Sequence, residues 1–178
     1  MKDIAKLLES ELKENKVVLL SLGSKDYREG MNSISKFSVS KYKKVCYVTL
    51  NDPYESIAQK LGEDAGKILF IDCVTSTTKT PEQKKGVMFV SSPRAFTEIS
   101  ISIKKAISDE KVDFSIFDSI SALMVYEKSM SVLKFIHSLV LTCREGEMKT
   151  CFVILKEDVD ASMLKDLTMF VDKVVETG

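Results

Sequence analysis

Val112-Asp-Phe-Ser-Ile-Phe-Asp-Ser-Ile-Ser-Ala-Leu123 is the stretch on which the reading of the fold turns. Its first part, Val112 to Phe117, is a largely apolar run of strand length that ends on a carboxylate, Asp118. A long helix follows at Met130–Cys143, where Val132, Ile136, Leu139, Val140 and Cys143 recur at helical spacing. An apolar strand delivering one acid just before helical sequence is the pattern of a parallel α/β sheet. Such sheets bind ligands at the carboxyl ends of their strands.

The same alternation extends in both directions. Upstream, Ile4, Leu7, Leu8 and Leu12 mark an amphipathic first helix, and Lys16–Leu22 reads as a buried strand ending at Gly23. Tyr27, Met31, Ile34 and Phe37 line one face of a second helix, and Val45–Leu50 is the next strand. Asp52-Pro53-Tyr54-Glu55 has the form of a helix start, with Asp52 as N-cap, and Gly62 closes that helix. Ile68–Ile71 and Val87–Val90 are short strands on either side of a polar loop, and a helix opens at Ser92-Pro93. Thr150–Leu155, Ala161–Leu167 and Phe170–Val175 read as strand, helix and strand. Strands that alternate with helices, several of them apolar throughout, call for a mainly parallel sheet covered on both faces. No linker or repeat divides the sequence, so residues 1–178 are expected to form one domain.

Composition narrows the function. Lys+Arg and Asp+Glu both number 26, leaving no basic excess of the kind that displaces counterions from nucleic acid. Lys36, Lys41, Lys43 and Lys44 fall close together, a spacing that suits a solvated face as well as a patch. No apolar stretch approaches the ~18–20 residues that span a bilayer, and the first helix is not built like a signal peptide. A cytoplasmic location is therefore expected. Cys46, Cys73, Cys143 and Cys151 sit among apolar residues without a C-x-x-C pair and are expected to be buried thiols. His137, the one histidine, is placed beside the inward face of its helix and cannot hold a metal alone.

Four segments, taken in order, resemble the KaiC-like branch of the RecA superfamily, best known in archaea. They are Tyr47–Pro53, Ser91–Glu98, Phe117–Leu123 with Val132–Ser138, and Phe170–Glu176. The resemblance implies a three-layer RecA-like α/β domain of the P-loop NTPase type, with the strand Lys16–Leu22 central and beside the strand ending at Asp118. In that family ATP binds between subunits, and a glycine-rich loop after the first strand wraps its phosphates. An acid at the position of Asp118 supports magnesium there, and acids at the positions of Asn51 and Asp52 activate water.

The phosphate loop is where this sequence departs. A working loop reads G-x-x-x-x-G-K-[ST], with glycines for the backbone cradle, a lysine for the phosphate oxygens and a hydroxyl for magnesium. Here six residues instead of four separate Gly23 and Gly30, and Met31 and Asn32 follow. Asp26 and Glu29 are expected to form an N-cap and its capping-box partner, which would repel phosphates. Lys25 and Arg28 are either substitute phosphate ligands or exposed cations. Asp118 is either a relic of magnesium binding or the cap of the helix at Ser119–Tyr126. Gly23, Lys25, Arg28, Asp52 and Asp118 are thus the candidate nucleotide-site positions, with no catalytic residue, resident cofactor or metal expected. The favoured expectation is a domain that is not a working ATPase and acts by contact with a protein partner or with its own copies. An atypical ATP-binding protein is the second reading and a recombination-accessory DNA-binding module the third.

Overall fold

The computed structural model describes residues 4–177. In chain order the elements are α1 (Ile4–Glu14), β1 (Val17–Leu22), α2 (Tyr27–Lys41), β2 (Val45–Thr49), α3 (Tyr54–Leu61), β3 (Ile68–Asp72) and β4 (Val87–Phe89). The second half runs α4 (Phe96–Ser108), β5 (Phe114–Asp118), α5 (Ile120–Tyr126), α6 (Ser129–Glu145), β6 (Lys149–Leu155), α7 (Ala161–Thr168) and β7 (Lys173–Glu176).

Seven strands form one sheet in the order β4-β3-β2-β5-β6-β1-β7, and every neighbouring pair is parallel. Parallel strands need crossovers, and the helices that supply them cover both faces. Alternate residues of one strand therefore enter opposite cores. Val17 and Leu19 of β1 join α4, α5, α6 and α7, while Val18, Leu20 and Leu22 join α1, α2 and α3. This is the expected α/β architecture. All four cysteines are free and buried in these cores.

Three expectations are corrected. β1 is interior, but it does not lie beside the strand ending at Asp118. β6, the longest strand at seven residues and buried from Thr150 to Ile154, separates β1 from β5 and pairs with both. The final strand begins at Lys173, because Phe170 ends a turn and Asp172 instead accepts the Val17 and Lys16 backbone N–H groups, each at 2.9 Å. α4 opens at Phe96, since Ser92 to Ala95 form a turn closed by the Ala95 N–H on the Ser92 carbonyl.

The expected caps also vary. Gly62 does close α3, at φ 61°, a conformation that suits glycine. His137 is exposed and stacks on Phe170 at 4.6 Å between ring centroids. Of the lysines grouped in the sequence, Lys41 pairs with Glu9 and Lys44 with Glu110. No helix among the described residues is long and apolar enough to cross a membrane.

Candidate functional site: a buried carboxylate under two tyrosines

β5 carries Asp118 to the carboxyl end of the sheet, where α2 from one side and β2 from the other enclose it. Asp118 is 4 % exposed. The Tyr47 hydroxyl donates to Oδ2 at 2.5 Å, and the Tyr27 hydroxyl donates to Oδ1. Tyr47 points this way because it alternates with Cys46 and Val48, which face the opposite core. Burial raises the Asp118 pKa above its ordinary 3.8, and the two hydroxyl donors work against that rise. Burial and the nearby carboxylate push both tyrosine hydroxyls well above their usual range.

Asp118 does not cap the following helix, as one reading of the sequence held. Ser119 is the N-cap of α5, with its hydroxyl accepting the Ala122 N–H at 3.3 Å. Asn51 reaches both neighbours of the acid, donating to the Ser119 hydroxyl at 3.3 Å and to the Tyr27 hydroxyl at 3.4 Å.

Neither Asp26 nor Asp52 makes the side-chain cap assigned to it. Asp26 stands at the N-cap of α2 but has helical backbone angles, φ −96° and ψ −8°, and its side chain accepts no helix N–H. A side-chain cap needs an extended N-cap residue, so the Asp26–Glu29 box does not form. The neighbouring Ser24 N–H instead meets the Glu157 carboxylate at 3.1 and 3.2 Å, from the turn that follows β6. That hydrogen bond is the foremost reason the Glu157 pKa is lowered.

At α3 the side chain of Asp52 turns outward, 3.8 Å from Lys60. The Tyr54 N–H is taken by Asp72 at 2.9 Å, and Asp72 also accepts Val74 N–H, Thr75 N–H and the Thr75 hydroxyl. Fully buried at the end of β3, Asp72 ties a helix start to the turn of the adjacent strand.

A cavity of about 190 Å³ opens above Asp118 and Tyr47, with Arg28, Asp52 and Lys60 among its lining residues. It gathers Arg28, Asp52 and Asp118. Gly23 and Lys25 lie outside its lining, and Lys25 is exposed. Gly30 is no loop residue either. It sits inside α2, where a Cβ would meet Leu22 and Ile4 side-chain carbons at 3.1 and 3.2 Å. Among the described residues no group of three or more His, Cys, Asp or Glu side chains is placed to hold a metal ion.

Tyr27, Tyr47, Asp72 and Glu157 are the site residues that the sequence reading missed. Tyr27 and Tyr47 had a signal, a hydroxyl within an otherwise apolar face, which when buried must find a partner.

The fold is shared with solved proteins of low sequence identity. The uncharacterized protein PH0321 from Pyrococcus horikoshii, crystallised in complex with an unknown peptide, superposes with a TM-score of 0.72 at 14% identity over 97% of this chain and 82% of its own. The KaiC-like protein PH0186 from the same organism gives 0.65 at 15% identity, over 90% of this chain and 72% of its own. An ATPase from the type III secretion system of pathogenic bacteria gives 0.55 at 11% identity, over 92% and 51%. At these identities the likeness is one of RecA-like, KaiC-like fold. No curated protein matches the chain. Residues 40–177, which hold β2 through β7 and hence Tyr47, Asp72, Asp118 and Glu157, match one family across most of the chain, and the protein belongs to that family, the family of unknown function DUF7504.

Proposed function

We propose that this chain is a non-catalytic RecA/KaiC-like domain, of archaeal type and cytoplasmic, that acts through protein–protein contacts as a regulator or assembly partner. Residues 1–178 serve as one unit in this reading. The observation that carries it is the hydrogen bond from Ser24 N–H to Glu157. A phosphate loop turns its backbone N–H groups toward phosphate oxygens, and at this position one such group is already bound by a carboxylate. Asp26 and Glu29 add negative charge beside it, and Met31 and Asn32 stand where a lysine and a hydroxyl residue would be needed.

The magnesium side is equally poorly served. Both Asp118 oxygens already accept tyrosine hydroxyls, and burial favours the neutral acid. These residues do not fit a magnesium–nucleotide complex, and no catalytic step is derived through one. The peptide bound to PH0321 lends support to a polypeptide as partner here, another protein or a further copy of this chain.

A second reading, an atypical nucleotide site, is favoured by one observation: Arg28, Asp52 and Asp118 line the same cavity. Calorimetric titration with Mg-ATP separates the two. The non-catalytic reading expects no heat of binding up to millimolar nucleotide, and saturable binding that requires magnesium overturns it.

A further inference from the structure

At the opposite end of the sheet from Asp118, a groove of about 510 Å³ runs beside the start of edge strand β4. Its floor is apolar, formed by Ala58 of α3 with Phe70 and Val87. Its rim carries Lys44, Lys67, Lys84 and Lys85 against a single acid, Glu110. Lys44 pairs with Glu110, and Lys67 with Asp64 at 2.9 Å. Lys84 and Lys85 meet no carboxylate among the described residues and are both exposed. A zero-charge protein thus concentrates two uncompensated positive charges over an apolar hollow.

A second hollow of about 340 Å³ adjoins the first and shares Tyr54 and Lys84 with it. It carries Phe89, and there Glu55 pairs with Lys79 at 3.6 Å and Glu82 adds a further acid, so the positive end of the combined groove lies toward Gly86. Gly66 and Gly86 keep the rim low. A Cβ at Gly66 would meet nothing within 4 Å, and one at Gly86 only the Ile68 carbonyl at 3.9 Å.

We infer that the groove of Lys84, Lys85, Ala58, Phe70 and Val87 docks an acidic peptide segment of a partner protein, with carboxylates at the two lysines and apolar side chains on the floor. The inference rests on the protein-contact reading above and gives that contact a place and a chemistry. Apolar floor with cationic rim is complementary to alternating acidic and apolar residues, which bury one side-chain set and pair the other. Two hollows joined at Tyr54 and Lys84 suit an extended segment better than a compact anion. The apolar floor also argues against a nucleic acid backbone, which would call for a longer basic track.

The test is selection of a random twelve-residue peptide library against the purified protein, with recovered peptides then measured by fluorescence anisotropy. The expected result is enrichment of Asp and Glu spaced by apolar residues, with binding that weakens as salt rises. Lys84→Glu/Lys85→Glu should weaken it by about tenfold or more, because reversing two rim charges turns attraction for an acidic peptide into repulsion. Gly66→Trp, which narrows the groove without touching charge, should weaken it too, and Lys104→Glu/Lys105→Glu on the exposed face of α4 should not. The inference is overturned if no acidic peptides are recovered, if they bind the Lys84/Lys85 variant as well as the parent, or if single-stranded DNA binds the groove more tightly. Peptides that bind elsewhere would remove the groove and leave the protein-contact reading standing. Magnesium-dependent nucleotide binding would remove that reading by a separate measurement.

Discussion

Glu157 and Ser24 lie 133 residues apart in sequence, yet the glutamate carboxylate accepts the serine backbone N–H at 3.1 Å. The bond joins the turn after β6 to the loop after β1, two strands that lie side by side. It gives the loop a fixed anionic partner supplied by the protein itself.

That pairing makes a pH prediction. The hydrogen bond from Ser24 holds the folded-state pKa of Glu157 below its ordinary 4.5. A depressed carboxyl stabilises the fold above its unfolded pKa, and the contribution is lost as pH falls through the lower, folded value. The Ser24 amide proton should therefore titrate in NMR spectra with a midpoint below 4.5. In Glu157→Gln that titration should vanish, while Mg-ATP still fails to bind. An unchanged Ser24 titration would show that another group holds the amide.

Asp118 is displaced the other way. Burial raises its folded pKa above 3.8, so the folded state binds the proton more tightly than the unfolded one. Stability from this group is fully present below the unfolded pKa and declines as pH rises through the window up to the folded value. Asp118→Asn should flatten that slope in urea titrations run at successive pH values, because the amide does not ionise. A parent and variant with parallel pH profiles would contradict the assignment.

The same carboxyl fixes the expected effect of the tyrosines. Tyr47 is 2 % exposed, and among the described residues its hydroxyl bonds Asp118 alone. Tyr47→Phe removes a donor from a buried carboxyl and should cost about 1–3 kcal/mol in urea unfolding. Tyr27→Phe, at the edge of the cavity, should cost less because water can replace its hydroxyl. Equal losses at the two positions would mean that both are sealed from solvent.

Much of this was legible in the sequence, and the illegible part has a physical pattern. Apolar runs such as Val17–Leu20 and Cys151–Leu155 announce strands buried on both faces, so sheet type and helix placement could be read directly. Strand order could not, since periodicity says nothing about which strand β6 will separate. At the site, Asp118 and Arg28 were singled out from their places at ends of elements, and both line the same cavity. Asp26 and Asp52 were assigned caps from local pattern alone. At α3 the helix-start N–H went to Asp72 on the neighbouring strand, and the loop before α2 is held by Glu157, distant in sequence, contacts which no local motif records.

Asp52 and Asp72 allow that difference to be measured. The sequence pattern Asp52-Pro53-Tyr54-Glu55 assigns the cap of α3 to Asp52, so Asp52→Ala would be expected to cost ~1 kcal/mol. In the structure Asp52 is exposed and its one side-chain partner among the described residues is Lys60 at 3.8 Å, a surface pair worth little. Asp52→Ala should therefore stay within about 0.5 kcal/mol of the parent. Asp72 accepts four hydrogen bonds at 2.6 to 2.9 Å from the start of α3 and the turn after β3. Asp72→Ala strands those donors and should cost about 3 kcal/mol or more. Asp72→Asn keeps one acceptor oxygen for the turn and loses the other, so its cost should fall between the two. Urea midpoints for the three variants give the order directly. An Asp52→Ala loss as large as that of Asp72→Ala would return the cap to Asp52 and undo the assignment.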